Sequence, residues 1–442
     1  MNLNFINSVK ENGVVGAGGA GFPTHVKLNA EAEYIVVNGA ECEPLLRVDQ
    51  LLMVDETPKI LEALDYIVKS SGAKKAFIGL KEKYKEAINS LDSKIDSFEN
   101  MEIKKLGNFY PAGDEQVLVY ETTGRIVPEG GIPLNVGVIV INVETLLNVY
   151  NSMNEEPVTE KYITVTGNVK DSQTVKVPIG VSIKEVIDLA GGTSIDEYKV
   201  INGGPMMGKI VEDIKEPVTK TTKGLIVLSI DHPLVQTFDK SIENMLREAK
   251  TACMHCSLCS EVCPRNLIGH NMKPDKLMRL ASYGSTCEED LSATTAYLCC
   301  ECRLCQYACI MDLQPWKLHQ MLKEEFISKG IKNNNNNKPE KVQEFREYKK
   351  YPVNKLIRQL GIKEYDVKAP LSNIKTDYSK VEILLSQHIG APAVPVVEKG
   401  QRVKKGQKIA KIMENTLGAN LHASIEGIVD SISDSSIVIS NV

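Results

Sequence analysis

The 442 residues carry a formal net charge of −5, with 52 Lys and Arg interspersed among 57 Asp and Glu. That balance speaks against a nucleic-acid surface. A chain of this length exceeds a single hydrophobic core, so three or four domains are expected.

Met1-Asn2-Leu3-Asn4 has neither the basic nor the apolar region of a signal peptide. Apolar runs such as 136–141 break off within about ten residues, too short to span a bilayer. A soluble intracellular chain is therefore expected.

Residues 1–155 read as an α/β domain. The runs 34–38, 75–80 and 136–141 are short, apolar and rich in β-branched residues, and helical patterns at 57–70 and 82–90 lie between them. This alternation predicts a sheet covered by helices on both faces. The segment Val15-Gly16-Ala17-Gly18-Gly19-Ala20-Gly21-Phe22-Pro23-Thr24 places four glycines within six residues, with Pro23 and Thr24 as a helix start. Its backbone N–H groups can approach an anion closely. Both a phosphate-bearing cofactor and a plain structural turn fit it, since no strand is predicted before Gly16 as the dinucleotide fingerprint requires.

Residues 156–235 change texture. Period-two alternation at 162–167 and 174–178 precedes one helix at 182–190, which predicts a small β-grasp module. Residues 236–330 carry cysteines on a largely helical background. Residues 331–380, with Asn333 to Asn337 and then Lys338-Pro339, read as an exposed linker. Residues 381–442 are strand and turn throughout, punctuated by Gly400, Gly406, Gly418 and Gly427.

Eight of the eleven cysteines repeat one spacing. Cys253, Cys256, Cys259 and Cys263 are followed by Pro264, and Cys299, Cys302, Cys305 and Cys309 recur about forty-six residues later. Such thiolates wrap two 4Fe–4S cubanes, three ligands to one cluster and the fourth to its neighbour. One copy alone could be a zinc site, and a disulfide framework belongs to short secreted chains. Cys42, Cys287 and Cys300 fall outside the spacing; Cys300 could replace Cys299 only with a tighter step to Cys302. Cys42 reads as a packing residue with a redox role as the alternative. His255 reads as a donor behind the ligands or a solvent-facing residue, His270 as a packing or hydrogen-bonding residue, and Met206 and Met207 as core filling.

Gly16–Thr24 with Lys27, Asn38-Gly-Ala-Glu41-Cys-Glu43-Pro44, Tyr110-Pro-Ala-Gly113-Asp114-Glu115 and Asn142-Val-Glu144-Thr145 resemble, in order, the flavin site of the complex I flavoprotein subunit. The resemblance implies FMN, with NADH stacking on its exposed face. It implies that Gly16, Gly18, Gly19 and Gly21 lie along the phosphate and ribityl chain, and that Lys27 neutralises phosphate. Asn38, Glu41, Asn142 and Thr145 would hydrogen-bond flavin near Gly113, and Phe22 and Glu115 would face the nicotinamide. Tyr110 would cover the ring or, equally, be a buried core residue. Ala40 and Ile141 stand where that subunit has polar residues.

The whole chain resembles the family that unites Rnf complex C subunits with the corrinoid (cobalamin) reductases of propanediol utilisation. The motifs are 40–44 with Val48-Asp-Gln50, 201–208, Thr219-Lys-Thr-Thr222, 267–270, 387–391 and 422–427. The terminal β module is C-terminal, as in the corrinoid reductases, and Ile310 stands where the second cluster motif usually ends in Pro. The implied protein is multidomain α+β: an FMN/NADH-binding α/β domain, a soluble-ligand-binding β-grasp module, a helical two-cluster ferredoxin domain and a C-terminal barrel-sandwich. No Lys stands at the hairpin tip of 413–420 for a swinging arm, so the barrel reads as a docking or packing domain.

The implied activity is oxidation of NADH through FMN and two 4Fe–4S clusters, with cob(II)alamin as acceptor. The implied partners are a redox protein or corrinoid enzyme, with no nucleic acid. The implied location is cytoplasmic, in a bacterial microcompartment or peripheral to the inner face of a membrane. An Rnf-like donor to a fermentative reductase or ion pump, and a non-enzymatic iron–sulfur relay or scaffold, are the alternatives.

Overall fold

The computed structural model describes residues 3–283, 291–372, 374 and 376–441; Cys287 lies outside the described residues. The N-terminal domain contains β1 (Tyr34–Gly39), β2 (Lys75–Lys81), β3 (Met101–Leu106), the two-residue β4 (Phe109–Tyr110) and β5 (Val138–Asn142). All but β4 form one parallel sheet in the order β3-β2-β1-β5. Alternate strand residues face opposite sides, as a pleated strand requires. Ile35, Val37, Ile78, Leu80, Ile139 and Ile141 pack against six helices on one side. Val36, Phe77, Val138 and Val140 pack on the other against Val117, Leu118 and Val119 of the helix Glu115–Thr123.

This order has a consequence for ligand binding. The chain leaves β1 towards β2 and β3, then returns to β5 on the other side of β1. The carboxyl ends of β1 and β5 therefore flank the crevice where open α/β sheets bind ligands. Asn38 and Asn142 are register partners there.

The β-grasp region supplies β6 (Glu160–Gly167), β7 (Gln173–Pro178), β8 (Tyr198–Asn202), β9 (Lys209–Ile210) and β10 (Gly224–Ser229). Its helix Ile183–Leu189 begins with a capping box in which Glu185 N–H donates to Ser182 Oγ (3.2 Å) and Ser182 N–H to Glu185 Oε2 (3.0 Å). Met206 is fully buried, but Met207 is 52% exposed, so only the first of the pair fills core.

The expected linker, 331–380, contributes structure of its own. It holds β11 (Tyr351–Pro352), the helix Val353–Gln359 and β12 (Leu371–Ser372). β11 pairs with β4, and β12 extends the β-grasp sheet beside β7. Val353, Leu356 and Ile357 are buried with Leu45 and Tyr110. Two-residue strands of this kind form only because distant chain is waiting to pair with them.

The C-terminal strands β13 (Lys380–Leu384), β14 (Val394–Pro395), β15 (Arg402–Val403), β16 (Lys408–Lys411), β17 (Leu421–His422), β18 (Gly427–Ile432) and β19 (Ser436–Ser440) make two small sheets. Val403, Val429 and Ile439 share one apolar cluster with Ile163, Val175 and Val227 of the β-grasp sheet. The cysteine region is built on the helices Ile242–Ala252, Pro274–Tyr283 and Pro315–Ser328, joined through Met245, Leu277, Leu322 and Phe326. Among the described residues, no helix is long and apolar enough to cross a membrane.

Candidate redox centres and flavin site

Two cavities collect the thiols, and each takes ligand candidates from both motifs. Cys253, Cys256, Cys259 and Cys309 line one. Cys299, Cys302, Cys305 and Cys263 line the other. The crossing of the fourth cysteine is the pattern expected from the spacing. Among the described residues, no three Cys, His, Asp or Glu converge tightly enough for a single ion. Thiols spread around an apolar cavity suit a cubane, whose irons sit apart, better than tetrahedral zinc. Burial pushes the Cys259 and Cys263 thiols up to about 12, so loading iron must expel protons.

The two motifs repeat a backbone shape as well as a spacing. The residues before and after the second cysteine are left-handed in both: His255 and Ser257 (φ 54° and 66°), then Glu301 and Arg303 (φ 55° and 60°). Each such non-glycine residue costs roughly 1–2 kcal/mol, so the turn is imposed by what the loop must wrap. A short helix follows each, Leu258–Glu261 and Leu304–Ala308. The copies diverge at their ends. Pro264 opens the helix Pro264–Leu267, whereas Ile310 is 63% exposed and starts none.

Cys300 lines the second cavity as a fifth thiol, hydrogen-bonded to Cys302. His255 lines the first, its Nδ1 3.6 Å from Cys253 Sγ. His270 is a buried structural residue whose Nε2 donates to Val127 O (2.8 Å).

His319, which no spacing singles out, is the residue that sequence reasoning missed. It is fully buried, lines the second cavity and places Nδ1 3.4 Å from Cys299 Sγ. Burial lowers its pKa to about 3, so the ring is neutral and its one proton can donate to sulfur. Donors to cluster sulfur favour the reduced, more negative state. Replacing His319 with Phe is expected to lower one cluster's potential. The loss is about 1 kcal/mol of preference, or about 40–60 mV for one electron. An EPR-monitored redox titration reads this directly, and an unshifted potential would count against the contact.

The glycine loop is preceded by the helix Leu3–Glu11 rather than a strand. A bridge between Val15 and Pro23 closes it, helped by Gly16 N–H to Phe22 O (2.9 Å) and Gly21 N–H to Gly16 O (3.1 Å). Ala17 N–H donates to Thr145 Oγ1 (2.8 Å). Gly18, Gly19 and Ala20 are exposed, and among the described residues nothing accepts from their N–H groups. A Cβ on Gly19 would meet only open space. Three free donors above the β1–β5 crevice fit a phosphate or ribityl chain.

The predicted flavin residues converge on this crevice, with one exception. Lys27 Nζ donates to Glu115 Oε1 (2.9 Å) and Val140 O (3.0 Å). Asn38 Nδ2 donates to Gly113 O (2.8 Å). Asn142 caps the helix Val143–Met153 with its Oδ1 and donates from Nδ2 to both oxygens of Asp49 (3.1 and 3.0 Å). Glu41 accepts from Asp49 N–H (2.8 Å) and Gln50 Nε2 (3.0 Å). Asn142 and Glu41 thus serve first as rigid walls. The exception is Tyr110. It is buried among Leu45, Met206 and Tyr351, and its hydroxyl donates to Cys302 O (3.0 Å). It belongs to the second cradle, not to the glycine loop.

Beneath the crevice lie buried cations. Lys223 pairs with Asp49, and Lys161 pairs with Glu144 while donating to Ala17 O (3.1 Å). Both lysines come from the β-grasp region, so that module props up the loop. Cys42 Sγ accepts from Gly113 N–H (3.2 Å), and burial pushes its thiol up to about 12, which marks a packing residue. Asp114 is largely buried. It caps the helix Glu115–Thr123 and grips Arg265 bidentately (2.5 and 2.9 Å), two residues beyond Cys263.

Comparison with known proteins agrees with this layout. Residues 9–151 match the Nuo51 FMN-binding domain, 162–209 the SLBB domain, 252–314 the 4Fe-4S dicluster domain and 357–441 the RnfC Barrel sandwich hybrid domain. The expectation of a multidomain α+β flavin and iron–sulfur electron-transfer protein holds. The C subunit of the Na(+)-translocating ferredoxin:NAD(+) oxidoreductase complex of Acetobacterium woodii is 40% identical over 263 residues, 58% of this chain and 56% of that one. The Cobalamin reductase PduS of Citrobacter freundii is 42% identical over 98% of this chain and 95% of its own length. That of Salmonella typhimurium is 41% identical over the same shares. The chain belongs to the cobalamin reductase PduS family.

Proposed function

We propose that the protein oxidises NADH at the flavin domain and passes the electrons singly to cob(II)alamin. Two thiol cradles hold 4Fe–4S clusters in this reading: Cys253, Cys256, Cys259 and Cys309 the outer one, Cys263, Cys299, Cys302 and Cys305 the inner. FMN accepts electrons in pairs and releases them one at a time, and a cubane carries one. The carrying observation is the way the modules join. The inner cradle is tied to the flavin domain by Tyr110 to Cys302 and by Asp114 to Arg265. Its Cys263, Cys302 and Cys305 are buried, whereas Cys256 of the outer cradle is exposed beside Met254, Ile310 and Met311. Entry at the glycine loop and exit at the outer cradle follow from that gradient of burial.

The chain's own residues have distinct tasks. The N–H groups of Gly18 and Gly19, with Gly16 and Gly21 shaping the turn, hold the phosphate end. Asn38, Gly113, Asn142 and Thr145 form the crevice wall. Lys27 and Glu115 sit at its rim, where with Phe22 they would meet the nicotinamide. The 42% identity to a cobalamin reductase over nearly the whole chain supports the acceptor, and by the same kinship a cytoplasmic, microcompartment-associated location is proposed.

The reaction balances as one NADH and two cob(II)alamin giving NAD⁺, a proton and two cob(I)alamin. Cluster-loaded, FMN-loaded protein should therefore convert cob(II)alamin to cob(I)alamin with NADH under anoxic conditions. NADH oxidation that leaves cob(II)alamin unchanged but reduces a ferredoxin would favour the second reading, an Rnf-type donor, which the Acetobacterium woodii kinship supports.

A further inference from the structure

The barrel-sandwich has no Lys in its hairpin 413–420, and it touches the glycine loop at both ends. Ile389 N–H donates to Gly21 O (3.1 Å). At the other end, Lys220 Nζ donates to Gly13 O (2.6 Å) and to Asn420 O of the barrel (2.9 Å). The two anchors are themselves joined, since Lys220 N–H donates to the side chain of Gln387 (2.9 Å). Packing is close there: a Cβ on Gly21 would lie 2.9 Å from Thr221 Cγ2 and 3.2 Å from His388 Cα, and one on Gly13 would strike Asn420 O.

Lys220 is 2% exposed, and among the described residues no carboxylate pairs with it. Burying an ammonium against carbonyls alone is unfavourable, and desolvation lowers its pKa to about 7. A fold retains such a group where geometry depends on it. The loop it holds needs holding, because glycine loses the most conformational freedom on ordering. Gly19 and Gly21 also sit at φ 125° and 68°. Fixing both ends leaves the free N–H groups of residues 18–20 in a set shape, which lowers the ordering cost of binding.

We propose that the C-terminal barrel is a brace for flavin binding, with Lys220 and the segment 387–389 as positioning residues for the glycine loop. This rests on the flavin contacts proposed above. It gives the barrel a role set by where it docks rather than by its place in the chain.

The test is FMN titration of the full-length, cluster-loaded protein by flavin fluorescence quenching, with Lys220→Met and Ile389→Pro. Ile389 is 47% exposed, so the proline removes a donor without opening the core. Lys220→Met is expected to raise the FMN dissociation constant about tenfold or more, and Ile389→Pro to raise it in the same direction. Iron content should be unchanged, and the absorption band of the flavin still bound should lose its resolved shoulder. Dissociation constants within about twofold of wild type in both variants overturn the proposal. If Lys220→Met does not fold, Ile389→Pro decides alone. A wild-type protein that does not bind FMN overturns the flavin reading and this proposal with it; binding that the variants retain overturns this proposal only.

Discussion

Replacing Cys309 with Ala should leave a protein whose residual cluster matches that of a Cys253→Ala variant, not that of Cys299→Ala. Cys309 lines the cavity of the first motif, and Cys263 lines that of the second. Each single substitution should cost about four of eight irons. The EPR spectra of the reduced variants should then sort into two pairs, Cys253 with Cys309 and Cys263 with Cys299. Sorting by motif instead, Cys253 with Cys263, would mean that the fourth ligands do not cross. Only cavities built from both motifs give the first result.

Breaking the Asp114–Arg265 pair should be the most destabilising change away from the cysteines. Burial alone would raise the Asp114 carboxyl, but Arg265 and the N–H groups of Val117 and Gln116 outweigh it and hold it below its ordinary value. Asp114→Ala leaves a buried guanidinium without its partner, a loss of about 3–5 kcal/mol, and removes a helix cap worth about 1 kcal/mol. Asp114→Asn keeps a capping oxygen and should lose less. The double variant Asp114→Asn with Arg265→Met should recover much of the difference, since no charge is then left buried. Thermal unfolding of the cluster-loaded protein measures this series. Equal stability of Asp114→Ala and wild type would show that the pair does not join the two modules.

Local chemistry was legible in the sequence, and long-range pairing was not. Iron ligation forces cysteines into short fixed steps, so both cradles and their crossing could be read from spacing alone. The parallel sheet and the glycine loop announce themselves through β-branched runs and repeated glycine. Tyr110 could be read as either ring cover or core residue. The structure shows the core residue, and its partner, Cys302 O, lies 192 residues away, beyond any local pattern. The segment 331–380 read as linker because β11 and β12 are two residues each and exist only by pairing with β4 and β7. The burial of Lys161, Lys223 and Lys220, the last inside the motif Thr219-Lys-Thr-Thr222, was invisible for a similar reason. Lysine defaults to the surface, and nothing in a local pattern marks one whose acceptors come from other modules. His319 sits one turn into a helix, twenty residues from the sulfur it faces.

The proposed passage of electrons from NADH to the clusters within this one chain can be measured directly. Protein reconstituted with iron, sulfide and FMN is titrated with NADH under anoxic conditions and followed by its visible spectrum. Bleaching of the flavin band is expected together with loss of the broad cluster absorbance, in proportion to NADH added. A protein that binds about eight irons but shows no flavin bleaching, and whose cluster absorbance NADH leaves unchanged, would contradict that passage and leave an iron–sulfur relay in its place.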